Sequence, residues 1–175
     1  MWKKFKTRMG PGLSPVVVPA GIVTFFLGAM GLSGWVSGWR LLAAVRPGYI
    51  PMAVDTALLF MAFGAILPLL ARNPNPRTRG SATAVAGMAA VYGSLQFLEF
   101  FIGTALTFEG ILFPVTERLG AFPLGRMSPF SGFLFFLSGV ALLLKIRGGE
   151  RRGPMEAAGG LGSLVTVGGF VAATG

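Results

Sequence analysis

The stretch Met52-Ala-Val-Asp-Thr-Ala-Leu-Leu-Phe-Met-Ala-Phe-Gly64 returns 75 residues later as Met127-Ser-Pro-Phe-Ser-Gly-Phe-Leu-Phe-Phe-Leu-Ser-Gly139. The identical pairs are Met52/Met127, Leu59/Leu134, Phe60/Phe135 and Gly64/Gly139, and the pairs Thr56/Ser131 and Ala57/Gly132 are similar. Each copy opens an apolar run that is long enough to cross a bilayer. Repetition at a fixed spacing is typical of chains built from one supersecondary unit. The repeat therefore predicts an all-α, polytopic membrane helix bundle made of two-helix units.

The composition agrees with a membrane location. The chain is 53% hydrophobic and only 12% charged, whereas soluble domains carry about 25% charged residues. Charge has been removed from long stretches, as a hydrocarbon environment requires. Glycine, present 27 times, is more frequent in membrane helices than in soluble ones because it lets backbones approach closely.

The chain contains no cysteine and no histidine. Disulfides, thiolate chemistry, Cys/His zinc sites and a histidine general base are therefore excluded. No nucleophile elbow or phosphate-binding loop is present either. We expect no enzymatic activity, no cofactor and no metal site.

Five apolar runs follow a basic segment, residues 1–14. This segment resembles the start of a signal peptide, but the next run is too long and lacks an A-x-A cleavage site, which indicates a retained span. Spans of 18–23 residues measure about 27–35 Å, which matches a hydrocarbon core of about 30 Å. The predicted spans are about 15–35, 52–71, 81–103, 128–146 and 157–175.

The basic residues predict the orientation and account for the net charge of +9. The N-terminus, the turn at 72–80 and the loop at 145–156 hold 4, 3 and 4 Lys or Arg, and the other two loops hold 2 each. By the positive-inside rule, we expect the N-terminus to be cytoplasmic. The basic residues then face cytoplasm and lipid headgroups, and we expect no nucleic-acid partner.

The last apolar run, 157–175, matches the first helix of a third unit in the 75-residue register. We therefore expect that the chain belongs to a larger protein or assembly.

Three polar residues lie inside or at the edge of spans, where ionisable groups are costly and often functional. Asp55 falls in the first turn of the second span, where free N–H groups and the helix dipole stabilise a carboxylate. Gln96 and Glu99 lie in the third span. Either a structural hydrogen bond between helices or one half of a ligand-sensing site would explain them.

The third span carries a face of small residues at spacings of three and four, which favours close helix packing. Its members are Ala82, Ala86, Ala89, Ala90 and Gly93. Gln96 and Glu99 continue this face toward a neighbouring helix. Because Asp55, Glu99 and Arg126 have similar predicted depths near the outer surface, we predict a polar cluster of Asp55, Gln96, Glu99 and Arg126.

Several short sequence motifs resemble those of a known protein family. They are the turn Gly48-Tyr-Ile-Pro-Met52 leading into Asp55-Thr-Ala-Leu58, then Leu98-Glu-Phe-Phe-Ile-Gly103, Gly110-Ile-Leu-Phe113 and Gly125-Arg-Met-Ser-Pro129. They resemble the N-terminal multi-span membrane domain of bacterial sensor histidine kinases and diguanylate cyclases, over about residues 34–175. The family's Pro-Asn pair is replaced by Val54-Asp55 in the first copy and by Pro129-Phe130 in the second.

The resemblance implies a sensory or signal-transduction membrane domain in the bacterial inner membrane that acts on a cytoplasmic effector. A second hypothesis is an accessory structural subunit of a bacterial membrane complex, photosynthetic or respiratory, that packs against other integral proteins. A transporter is a third, weaker hypothesis, because no polar residue lies at mid-span. The lipid bilayer is the partner common to all three, and a homo-oligomer or a hetero-oligomer is compatible with each.

Overall fold

The computed structural model describes residues 16–44, 51–103, 118–119, 122–123, 125–148 and 152–174. Within these ranges the chain forms six helices and one pair of two-residue strands. The helices are α1 (Val17–Val36), α2 (Arg40–Ala44), α3 (Val54–Arg72), α4 (Pro76–Ile102), α5 (Pro129–Gly148) and α6 (Arg152–Thr174). The strands are β1 (Arg118–Leu119) and β2 (Phe122–Pro123). The fold is therefore all-α in architecture.

Four helices (α1, α3, α4 and α5) are long and apolar enough to cross a membrane. The ends of α1, α3 and α5 lie within two residues of the predicted spans. Val54 and Pro129 are the first helical residues of α3 and α5, as the alignment of the two sequence copies predicts. The chain is thus a multi-span helical membrane protein.

Helix α4 begins earlier than predicted. The sequence analysis placed residues 72–80 in a polar turn, but α4 starts at Pro76. Oδ1 of Asn75 accepts hydrogen bonds from the Thr78 N–H (2.7 Å) and from the Thr78 hydroxyl (2.9 Å). Proline has no N–H to satisfy at the first helical position, so Asn75 and Pro76 together start a helix.

Helix α6 overlaps the predicted fifth span and begins earlier, at Arg152. It packs antiparallel to α5, since Gly168 lies against Leu134 and Phe130 near the start of α5. The described part of the chain contains four candidate spans rather than about five. Insertion of α6 in the membrane remains a prediction.

The spans form two antiparallel pairs, α1 with α3 and α4 with α5, in which the contacts are most extensive. Glycines mark the closest approaches. A Cβ at Gly28 would lie 2.5 Å from the Ala57 carbonyl oxygen, and one at Gly139 would lie 2.5 Å from that of Ala86. Because no side chain fits at these points, the paired helices are in direct backbone contact.

The two pairs meet through larger side chains. Helix α3 contacts α4 less extensively than the helices within either pair contact each other. Phe135 of α5 packs on α3, with ring centroids 5.6 Å from Phe60 and 6.3 Å from Phe63. The buried core between the pairs consists of apolar residues of α3, α4 and α5, including Ile66, Leu70, Ala82 and Leu142.

The structure describes part of the segment between α4 and α5, at residues 118–119, 122–123 and 125–128. The described part of this segment contains the antiparallel strands β1 and β2, in which Arg118 pairs with Pro123 and Leu119 with Phe122. Glu109, Glu117 and the basic segment 1–14 lie outside the described residues.

Candidate functional site

Asp55 occupies the first turn of α3, where the sequence places it. Its side chain is only 8% exposed. Oδ1 accepts a hydrogen bond of 3.0 Å from the N–H of Thr56. This contact satisfies an N–H group that the start of a helix leaves without an intrahelical partner. The location also lets the positive end of the helix dipole stabilise a carboxylate.

The second oxygen of Asp55 contacts the other helix pair. Oδ2 accepts a hydrogen bond of 2.7 Å from the hydroxyl of Tyr92 on α4. The sequence analysis did not single out Tyr92. A half-buried tyrosine hydroxyl needs a polar partner, and only the pairing of α3 with α4 shows that Asp55 provides one.

Gln96 lies on α4 one turn after Tyr92 and is 4% exposed. Its Nε2 donates a hydrogen bond of 3.0 Å to the carbonyl oxygen of Met127, just before α5. Gln96 also lies against Gly132 of α5. A Cβ added to Gly132 would lie 3.0 Å from the Cβ of Gln96. The amide therefore joins α4 to the segment that enters α5.

Glu99 and Arg126 occupy the same end of the α4–α5 pair. Glu99 is half-buried in the last turn of α4, and its carbonyl oxygen accepts the N–H of Gly103 at 2.9 Å. Arg126 is exposed next to the buried Met127. Asp55 accepts from Thr56 and Tyr92, whereas an ion pair of Asp55 or Glu99 with Arg126 remains a prediction.

The small-residue face of α4 is turned toward the bundle. Ala82, Ala86, Ala89 and Gly93 are buried and Ala90 is half-buried. A Cβ on Gly93 would lie 2.6 Å from the backbone nitrogen of Phe136 on α5. In the same way, a Cβ on Gly139 of α5 would lie 2.7 Å from the backbone nitrogen of Ala90. These residues thus allow α4 and α5 to pack closely.

A second small-residue face, on α1, was missed by the sequence analysis. Its buried glycines are Gly21, Gly28, Gly31 and Gly34. Gly21 faces Pro68, whose ring lies inside α3 without ending that helix. The spacings of seven and three among these glycines are the sequence signal that would have identified this face.

The backbone just before each second helix accepts a side-chain hydrogen bond from the first helix of its pair. The indole N–H of Trp35 donates to the Met52 carbonyl oxygen at 2.7 Å. The side-chain amide of Gln96 donates to the Met127 carbonyl oxygen at 3.0 Å. Met52 and Met127 are equivalent in the 75-residue register, although their donors differ in residue type.

The described site offers hydrogen-bond donors and acceptors at one end of the α3–α4–α5 core. Within the described ranges, no group of three or more Asp or Glu side chains comes together in a way that could hold a metal ion. The site therefore consists of a buried carboxyl group, a tyrosine hydroxyl and a buried amide, which are positioned by three neighbouring helices.

The described part of the chain, with its four candidate membrane spans, defines an integral membrane helical protein. None of the protein-family models, curated proteins or solved structures with which the chain was compared matches it.

Proposed function

We propose that this chain is a non-catalytic membrane module of signal transduction, of the kind that precedes bacterial sensor kinases and diguanylate cyclases. The main observation in support is that two glycine-packed helix pairs meet through an interface of larger side chains that contains the Asp55–Tyr92 hydrogen bond. Such an arrangement allows one pair to shift against the other while each pair stays intact.

Two-helix repeats form part of this proposal. Corresponding contacts support it when α1 is aligned with α4 at an offset of 65 residues and α3 with α5 at 75. The contact of Gly28 with Ala57 then corresponds to that of Gly93 with Gly132, and the contact of Phe25 with Gly64 corresponds to that of Ala90 with Gly139. Both pairs are thus held by close contacts at equivalent positions.

The difference between the two kinds of interface supports transmission of a signal. Backbone contact at glycines leaves little room for sliding, because a shift of one residue would bring a side chain into the contact. Interfaces made of Phe, Leu and Ile side chains tolerate small shear displacements through rotamer changes. A displacement at the outer end of the bundle would therefore move whole helix pairs.

The orientation in this proposal places the N-terminus in the cytoplasm of a bacterium and the start of α3 near the outer surface. The excess of Lys and Arg at the N-terminus, in the 72–80 segment and in the 145–156 segment supports it. Asp55, Gln96, Glu99 and Arg126 would then lie near the outer end. A signal would reach the cytoplasmic ends of the helices, where an effector acts.

The test is purification from the native membrane in a mild detergent, followed by mass spectrometry of the intact chain and of co-purifying proteins. A kinase or cyclase that is covalently continuous with the chain, or bound in a fixed ratio, supports the proposal. A fixed ratio to other integral proteins without a kinase or cyclase overturns it in favour of an accessory structural subunit.

A further inference from the structure

We infer that the hydrogen bond between Asp55 and Tyr92 is a latch that holds the two helix pairs in one relative position, and that its release lets them shift against each other. The term latch denotes these two side chains. It concerns the regulation of the module, and its consequence for output rests on the proposed function.

The latch lies between the two helix pairs. Asp55 belongs to the α1–α3 pair and Tyr92 to the α4–α5 pair, so the hydrogen bond joins two bodies that are each packed on their own glycines. The Gln96–Met127 and Trp35–Met52 bonds, in contrast, lie within one pair. Breaking the Asp55–Tyr92 bond therefore acts between the pairs.

The hydrogen bond differs in kind from the apolar contacts around it. The distance of 2.7 Å is typical of a strong O–H···O contact. The apolar contacts between the pairs are non-directional and remain available after a small displacement. A directional bond beside a non-directional interface therefore favours one relative position of the two helix pairs.

Opening of the latch is reversible. Tyr92 is half-buried and Asp55 lies in the first turn of α3, and we infer that a displacement of the helix pairs admits water to both groups. Water can then replace the lost bond, which keeps the net cost of opening modest.

The chain contains no cysteine, so pairs of introduced cysteines can carry spin labels without background. Val23 on α1, Leu69 on α3 and Met88 on α4 are 58%, 55% and 62% exposed, and labels there avoid the core. The Val23/Met88 label pair reports the distance between the helix pairs. The Val23/Leu69 label pair reports the distance within the first helix pair.

The experiment measures both label distances by pulsed electron paramagnetic resonance on the full chain in lipid nanodiscs. Tyr92→Phe and Asp55→Ala are each expected to add a second population to the Val23/Met88 distances. The double variant should match the single ones, and the Val23/Leu69 distances should stay as in the unsubstituted chain. Ser94→Ala is the matched control, because it removes a hydroxyl that bonds within α4.

Val23/Met88 distances in Tyr92→Phe that equal those of Ser94→Ala would overturn the latch. So would equal broadening of both label pairs, which would indicate general loosening. If Asp55→Ala fails to fold, Tyr92→Phe alone decides. Because these distances do not depend on any effector, the latch can fail while the proposed function stands, and the reverse is also true.

Discussion

The hydroxyl of Tyr92 donates a hydrogen bond of 2.7 Å to Oδ2 of Asp55, which lies 37 residues earlier in the chain. The bond crosses from the α4–α5 pair to the α1–α3 pair. It gives a buried carboxyl group, near the predicted outer end of the bundle, a partner that the sequence did not identify. Asp55 therefore has two roles: it accepts a backbone N–H at the start of α3, and it joins the two helix pairs through Tyr92.

Tyr92→Phe is expected to lower the free energy of unfolding by about 1–2 kcal/mol, because the Asp55 carboxyl group loses a donor while the ring stays in place. Thermal unfolding of the detergent-solubilised chain measures this change. Ser94→Ala should alter the stability by less than about 0.5 kcal/mol, because the Ser94 hydroxyl bonds to the Val91 carbonyl oxygen within α4 and joins no two helices. Equal stabilities of the two variants would contradict the importance of the Asp55–Tyr92 bond.

Gly64→Ala is expected to destabilise the α1–α3 pair by about 1–3 kcal/mol, the usual cost of overpacking. The added methyl group would lie 2.6 Å from Cα of Phe25, and backbone cannot rotate away as a side chain can. Gly87→Ala is the matched control, since a Cβ there has nothing within 4 Å.

The control should be neutral or stabilising by up to about 1 kcal/mol, through helix propensity. The same thermal unfolding measurement compares the two alanine variants. A Gly64→Ala protein as stable as the Gly87→Ala protein would show that α1 and α3 are not in backbone contact.

Gln96→Leu is expected to cost about 1 kcal/mol, a usual value for a side-chain hydrogen bond between membrane helices. The variant keeps the side-chain volume but cannot donate to the carbonyl oxygen of Met127. Thr83→Val is the control on the same helix, because the Thr83 hydroxyl bonds to the Arg79 carbonyl oxygen within α4. Titration with sodium dodecyl sulfate, monitored by tryptophan fluorescence, measures both. Identical midpoints for the two variants would speak against the role of Gln96 in joining α4 to α5.

The orientation can be tested with single cysteines at exposed basic positions. Arg126→Cys should react with a membrane-impermeant maleimide in intact cells that have a permeabilised outer membrane. Arg77→Cys should react only after the inner membrane is opened, because the start of α4 is predicted to be cytoplasmic. Both residues are exposed in the structure, so burial does not limit the reaction. The opposite labelling pattern would invert the topology.

The spans of the described part were predictable because their signal is local. Apolar runs of bilayer length have one stable outcome, since only a helix satisfies the backbone in lipid. The start of α4 was harder to predict from the sequence. Its helix start is marked by Asn75 followed by Pro76 and Thr78, and the same pattern is also typical of a turn. A prediction from local sequence patterns fails where the same residues are compatible with two local structures.

The candidate site was predictable in part. Asp55 and Gln96 stood out as polar residues in apolar spans, and both are buried. Tyr92 did not stand out, because a tyrosine in a membrane helix is ordinary until its partner is known. The glycines of α1 were missed for a related reason, since 27 glycines in one chain hide the few that contact a neighbour.

The sequence by itself determined that this chain is a membrane protein made of apolar helices, because hydropathy and length act within each segment. The alignment of the stretches at Met52 and Met127 also predicted the starts of α3 and α5, which begin at Val54 and Pro129. Only the tertiary structure decided that α1 pairs with α3 and α4 with α5, and that Asp55 contacts Tyr92. Those features depend on distances between residues far apart in the chain, which side-chain fit and hydrogen-bond geometry select and local patterns do not encode.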